Sequence, residues 1–236
     1  MSLIFNNNSP KEIKYNGNDV KKIIYNGVQV WKKRLPHEYQ EVEYIQSDGD
    51  QYLNLLRVPN MNDIFEQKFM TLNTTRAVRP WYGSMPNSSK TTPRISMGIS
   101  SVGIFVGANS TVGVSELNQD VHTVIWQYKE DAYVTYTLDD EEEQTKRNTS
   151  GTSSYTPAVT LTSYLFARHG NSGVQATDGD GTRIYYHREY LADGTPQLDL
   201  VPCYRKSDGE IGMYDLINGT FFANLGTGTF DKGNDV

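Results

Sequence analysis

"LDLVPCYRKSDGEIGMYDLINGTFFA" (Leu198–Ala223) is three short strands joined by two tight turns. Ser207-Asp208-Gly209 and Asn218-Gly219 supply the residues that tight turns need, because Asn, Asp and Gly accept a positive φ at the central positions. Leu198 to Tyr204, Glu210 to Asp215 and Thr220 to Ala223 then form an antiparallel meander, with Met213, Leu216, Phe221 and, further on, Phe230 at core positions. So few strands bury too little area to be stable alone, so the rest of the chain must cover this apolar face.

The same period-two alternation recurs upstream. Ile95/Met97/Ile99 is followed by Ile104/Val106 after Gly103. His122/Val124/Trp126/Tyr128 alternate with Thr123/Ile125/Gln127, and Val134/Tyr136/Leu138 with Tyr133/Thr135/Thr137. Val159/Leu161/Leu165/Ala167 mark a further strand, and "TRIYYHREYL" (Thr182–Leu191) another. Asn62 to Leu72 fits a helical turn or a strand, and the strand is preferred. Many short strands between Gly-, Asn- or Asp-containing turns, without an amphipathic helix, predict an all-β sandwich or barrel. The chain has 236 residues, and one such domain takes about 200–250.

Composition narrows the partners. Twenty-two Lys+Arg against 28 Asp+Glu give a net charge of −6. The one dense basic cluster is Lys32-Lys33-Arg34, so no nucleic-acid partner is expected. The acidic run Asp139 to Glu143 reads as a solvated hairpin loop. Cys203 is the single cysteine, which excludes an intrachain disulfide and leaves the redox compartment open. No apolar run approaches the roughly 18–20 residues of a membrane span. "MSLIFNNNSPKE" lacks a basic start followed by an apolar stretch, so synthesis in a cytoplasm without Sec export is expected. The Asn-X-Ser/Thr triplets at Asn7, Asn73, Asn87, Asn109, Asn148 and Asn218 then reflect a chain rich in these residues.

The opening says one phrase twice: Ile13-Lys14-Tyr15-Asn16-Gly17 returns as Ile23-Ile24-Tyr25-Asn26-Gly27, and Val20 as Val30. Asn-Gly is the favoured type I′ hairpin pair, so a three- or four-stranded ribbon of short strands is expected here. A ribbon so small exposes its edges and needs a neighbour. Tyr15, Val20, Tyr25, Val30 and Trp31 are its candidate docking residues, Trp31 as the aromatic anchor. Arg34-Leu35-Pro36 breaks the pattern, which divides the chain into a ribbon, 1–34, and a sandwich, 35–236.

Two phrases of the larger part resemble a known family. "LPHEYQEVEYIQSDGDQYL" (35–53) is similar to the opening strands of concanavalin A-like (laminin-G-like) domains of phage virion proteins and gut-bacterial surface proteins. "LDLVPCYRKSDGEIGMYDLINGTFFANLGTGTF" (198–230) resembles their terminal phrase more specifically. The interior, Asn54 to Gly181, matches only in strand rhythm. The N-terminal double phrase, ending in Val30-Trp31, resembles a hairpin element that opens many phage tail and capsid-associated proteins. The resemblance implies a concanavalin A-like jelly-roll sandwich preceded by a small hairpin ribbon. It also implies pairing of first and last strands, bringing Tyr44 and Tyr52 near Phe221 and Phe222.

Glucanases share that fold, and they need two carboxylates roughly 5–10 Å apart on one sheet face. Their usual Glu-X-Asp-X-X-Glu strand motif is missing, so the chain is expected not to be an enzyme. The histidines His37, His122, His169 and His187 lack ligand spacing for zinc, and His122 reads as a packed or edge residue. "TDGDGTRIYYHRE" has Arg183 where an EF-hand needs Gly, so an EF-hand is rejected. A looser Ca²⁺ site would use Asp178 and Asp180, but a polar Asp-Gly turn is the plainer reading, and no cofactor is expected. Sugar binding needs a flat ring with hydrogen-bonding groups beside it. Trp81-Tyr82 in "RPWYGSMPNSS" offers that, with Asn109, Arg168, His169 and Asn171 as weaker candidates. The competing reading makes Trp81 a loop anchor over a sheet edge, and Trp126 core.

Sequence and resemblance together lead to an expectation: a non-enzymatic phage virion protein, in capsid decoration, tail, baseplate or fibre, displayed on the particle exterior. Its ribbon would hold other virion proteins and its sandwich host-surface glycan, in several copies on a symmetric particle. The alternative is a bacterial carbohydrate-binding module or glycoside hydrolase of the same fold.

Overall fold

A computed structural model of the chain describes residues 14–15, 18–19, 22–25, 28–32, 34–72, 79–84, 95–100, 103–108, 112–115, 118–129, 133–147, 160–176 and 181–236. Four short strands come first: β1 (Lys14–Tyr15), β2 (Asn18–Asp19), β3 (Lys22–Tyr25) and β4 (Val28–Lys32). Next are β5 (Tyr39–Glu41), β6 (Ile45–Gln46), β7 (Leu53–Asn54), β8 (Ile64–Thr71), β9 (Arg79–Ser84), β10 (Ile95–Ser100), β11 (Gly103–Ala108) and β12 (Val112–Ser115). Then follow β13 (His122–Lys129), β14 (Tyr133–Leu138), β15 (Gln144–Arg147), β16 (Tyr164–Leu165), β17 (Arg168–Gly170) and β18 (Gly173–Ala176). The last are β19 (Thr182–Tyr190), β20 (Pro196–Arg205), β21 (Ile211–Asp215), β22 (Thr220–Ala223) and β23 (Asp231–Lys232). Among the described residues there is no helix.

The architecture is the expected all-β sandwich of two large sheets. The larger sheet runs β15-β14-β13-β8-β19-β20-β21-β22, with β5, β6 and β23 attached, and the smaller runs β12-β11-β10-β9-β16-β7, with β17 and β18 attached. Among the described residues pairing is antiparallel except for one parallel contact between β17 and β9. The core fills the space between the sheets. Phe65, Phe69, Val124 and Trp126 come from the larger sheet, and Trp81, Tyr82, Met97, Ile104 and Leu165 from the smaller. The Phe65 and Trp126 rings stack with centroids 4.5 Å apart. Asn62 to Leu72 yields strand β8, whose side chains alternate without a break between half-buried and buried. That is the period of a strand with one face on the core.

The terminal meander forms as expected: β20 pairs β21 and β21 pairs β22, with Gly209 at φ +76° and Gly219 at φ +69° in the turns. Met213 and Phe230 lie in the core. Leu216 and Phe221 do not. They join Leu35, Val201, Cys203, Tyr39 and Tyr214 in a second cluster. Register is the reason: Met213 faces Phe222 and Tyr214 faces Phe221, so Phe222 takes the core place. First and last strands do pair, β6 with β23 and Val42 with Asp235. Tyr44 is elsewhere than expected, against Tyr185, whereas Tyr52 lies beside the end of β22, its carbonyl accepting from the Leu225 amide at 3.0 Å and its amide donating to Asn224 Oδ1 at 3.2 Å, with its ring on Tyr164. Of the strand expected over Val159 to Ala167, the described residues keep only Tyr164–Leu165, because Phe166 turns the chain at φ +65°.

At the N-terminus, β1 pairs β2 with Tyr15 opposite Asn18, and β3 pairs β4 with Tyr25 opposite Val28. The ladders are two separate two-stranded hairpins rather than one ribbon of three or four strands, and among the described residues neither is paired with a sandwich strand. β2 holds only Asn18 and Asp19, a poor strand pair. Val20 lies outside the described residues.

Candidate functional site

Trp81 and Tyr82 belong to strand β9, and their side chains are 0% and 1% exposed. The expected loop platform for a sugar is corrected: both rings are core. A bulge explains how neighbours on one strand both point inward. Tyr82 pairs with Met97 and Pro80 with Gly98, which leaves Trp81 as the extra residue.

Both rings end in a polar chain inside the sandwich. Trp81 Nε1–H donates to Gln67 Oε1 at 2.8 Å. Gln67 Nε2 must then face His187 Nδ1, 3.2 Å away, and donate to it. The His187 ring is thereby oriented so that its Nε2–H donates to Glu189 Oε1 at 3.1 Å. Tyr82 donates to the same oxygen at 2.8 Å, while Arg57 grips Glu189 and Asp63 with separate nitrogens. Burial pushes the Glu189 carboxyl up, but the bond from His187, the charge of Arg57 and the Tyr82 hydroxyl outweigh it and hold it below its ordinary value. Asp63 goes the other way, raised by burial, although Arg57 and the Asn60 amide pull it down. Its Oδ1 is buried with no hydrogen-bond partner, so desolvation prevails there. Glu189, Asp63, Gln67 and His187 are each at most 1% exposed. These carboxylates are clamped within the core. Sequence reading missed the network, whose only trace is His187-Arg188-Glu189 with both polar ends at inward positions of a strand.

The other expected positions scatter. His169 in β17 is held by Thr162, whose carbonyl lies 2.8 Å from Nδ1. Its ring stacks on Tyr164 at 4.1 Å, and Tyr164 on Tyr52 at 5.3 Å. Arg168 beside it is half-buried, and Asn171 is exposed in the turn before β18. Asn109, Asp178 and Asp180 lie outside the described residues. Among the described residues no group of three or more His, Cys, Asp or Glu is placed to hold a metal. Tyr15, Tyr25, Val30 and Trp31 are on hairpin strands. His122 is a packed residue, with Asp139 Oδ2 2.6 Å from Nδ1. Cys203 is buried, and burial followed by the charge of Glu41 pushes its thiol up to about 12, which leaves it unreactive.

The outer face of the larger sheet gathers what a ligand surface needs. A second bulge puts two consecutive tyrosines there: Ile184 pairs with Phe69 and Tyr186 with Lys68, so Tyr185 is the extra residue. Tyr185 meets the edge of Tyr44 at 5.5 Å. Arg183 lies 4.5 Å over the Tyr44 ring and Arg188 4.5 Å over Tyr186. Arg188 donates from Nε to Asp199 at 2.9 Å and from NH1 to Glu66 at 3.0 Å, and Tyr190 donates to Glu66 at 3.0 Å. Burial, then the hydrogen bond to Glu66, pushes the Tyr186 phenol up to about 12, and the same causes do so for Tyr190. Tyr39, Tyr214 and Phe221 extend the aromatic surface beyond β20, with ring centroids 4.9 Å and 5.1 Å from Tyr39. These rings are half-buried, so they are held in place with some area still open.

A cleft of about 320 Å³ opens where Leu55, Arg57, Asn218 and Phe222 meet. Its acid is already satisfied: Asp215 accepts from the backbone of Asp199 and Ile217 and from Asn218. The sheet face offers more.

No known family's sequence profile matches the chain, and no curated protein matches it. Among solved structures it is similar to scytalido-glutamic peptidase bound to a transition-state analog inhibitor. That match has 10% identity over 81% of this chain and 92% of the other, with a TM-score of 0.26. It is also similar to SCP-B, a member of the eqolisin family of peptidases, in complex with the tripeptide Ala-Ile-His. There the identity is 12%, over 78% of this chain and 100% of the other, with a TM-score of 0.23.

Proposed function

We propose that this chain is a non-enzymatic bacteriophage virion protein that binds host-surface glycan through the outer face of its larger sheet. The observation that carries the proposal is the array on that face: Tyr44, Tyr185, Tyr186 and Tyr190 interleaved with Arg183, Arg188 and Glu66. Sugars present apolar C–H faces that suit aromatic rings and hydroxyls that suit charged and amide groups, and this surface supplies both. Its side chains are tied to one another, so little rotamer freedom is lost on binding. The duplicated Asn-Gly hairpins would seat the protein on the particle, and several copies would turn weak single contacts into firm adhesion.

A glycan array probed with the full chain tests the binding half. Wild type should bind, and Tyr185→Ala and Tyr186→Ala should each abolish binding while circular dichroism stays unchanged. Silence across the array, or binding indifferent to both substitutions, refutes it. Phage assembled with a chain lacking residues 1–34 tests the mounting half, which predicts particles without the protein. A bacterial carbohydrate-binding module would share the face but would not join particles at all.

A further inference from the structure

The cations of the outer face are not equivalent. Arg188 is held by two carboxylates, Glu66 and Asp199. Arg183 has no carboxylate partner among the described residues. Its polar partners there are Gln46, whose Oε1 accepts from Nε at 2.7 Å, the sulfur of Met70, 3.8 Å from NH1, and the Tyr185 hydroxyl. Thioether sulfur is a weak acceptor and none of these partners is charged, so the guanidinium charge is uncompensated by a described carboxylate. Lys68 on the adjoining strand likewise has no carboxylate within ion-pair distance among the described residues, and its ammonium lies 5.8 Å over the Tyr185 ring. Glu43, whose charge reaches the Tyr185 phenol, is engaged elsewhere: its Oε2 accepts from the Asn234 backbone at 3.0 Å and side chain at 3.1 Å.

In a chain of net charge −6, two neighbouring cations without acidic partners among the described residues stand out. Their geometry is set. Tyr44 supports the Arg183 plane from below and Gln46 fixes its Nε, which leaves the other edge of the fork oriented. A planar fork held this way matches a carboxylate in two parallel hydrogen bonds, and Lys68 adds a point charge beside it. We infer that the Tyr44–Arg183–Tyr185–Lys68 corner binds the carboxylate of an acidic sugar, so that the glycan is anionic. This rests on the glycan-binding reading above and deepens it.

The test is calorimetric titration of the full chain with matched pairs: sialyllactose against lactose, and digalacturonic acid against its methyl ester. Wild type prefers the acidic member of at least one pair by about tenfold, the worth of one charge-assisted hydrogen bond, and the preference shrinks as salt rises. Arg183→Gln removes the preference, weakening the acidic member about tenfold more than the neutral one. Arg183→Lys keeps the charge but loses the fork, and retains only part of the preference. It also serves should Arg183→Gln not fold. Equal affinity for both members of each pair, or a preference that survives Arg183→Gln, overturns the inference and leaves glycan binding standing. Binding to no member overturns both. Tighter binding to sulfated lactose or to an Asp/Glu peptide than to either acid sugar overturns the carboxylate assignment.

Discussion

Replacing Arg57 with methionine keeps much of the side-chain volume and removes one charge from the centre of the sandwich. Its guanidinium is the shared partner of Glu189 and Asp63, whose side chains are 0% and 1% exposed, and is itself 14% exposed. The substitution therefore strands two buried carboxylates, one of which already has an oxygen without a partner. Breaking a buried pair by deleting one member costs about 3–5 kcal/mol. For a domain of this size each kcal/mol moves Tm by about 2–4 °C, so melting should fall by roughly 6–20 °C. Urea unfolding followed by tryptophan fluorescence reads the loss directly, because Trp81 and Trp126 are buried in the same core. Adding Glu189→Gln should be strongly non-additive, since it removes a charge that Arg57→Met has left uncompensated. A loss under about 1 kcal/mol, or strict additivity of the two changes, would mean that the Arg57 cluster does not hold the sandwich together.

Gly212→Ala should destabilise by about 1–3 kcal/mol, measured by urea unfolding. A Cβ there would sit 2.1 Å from the Phe222 carbonyl oxygen, a backbone atom that cannot swing away. In acid, Glu189 should contribute to unfolding. Its folded pKa is depressed, so its stabilisation is complete above the unfolded value of about 4.3 and is lost as pH falls through the lower folded value. Asp63, raised in the fold, runs the opposite way, and Asp63→Asn should therefore steepen the loss of stability on acidification seen by circular dichroism. Tyrosine ionisation followed by ultraviolet absorbance should show two phenols, Tyr186 and Tyr190, titrating near 12. Glu66→Gln should bring both down.

What the sequence revealed was set by regular alternation. β13 and the β20–β21–β22 meander keep period two, and their places followed from the residues alone, whereas the β8 segment fitted a helical turn as well as a strand until the sheet was seen. Each bulge defeated that logic. The extra residue at Trp81 turned an adjacent pair into core, and the extra residue at Tyr185 turned another pair outward. A bulge shifts every side chain beyond it to the opposite face, and nothing in "RPWYG" or "TRIYYHRE" announces one. Phe221 and Phe222 posed the same difficulty, since either could face inward until the register with Met213 and Tyr214 decided. The Arg57–Glu189–His187–Gln67–Trp81 chain was harder still. Its members are up to 132 positions apart, and only the packing of one sheet on the other brings them together.

The most direct measurement is proton NMR of the full chain's tyrosine rings during titration with whichever glycan the array selects. Shifts confined to Tyr44, Tyr185, Tyr186 and Tyr190, assigned by single Tyr→Phe replacements, are what a recognition surface on the larger sheet predicts. Shifts centred on Tyr52 and Tyr164 instead, with those four rings unmoved, would contradict it.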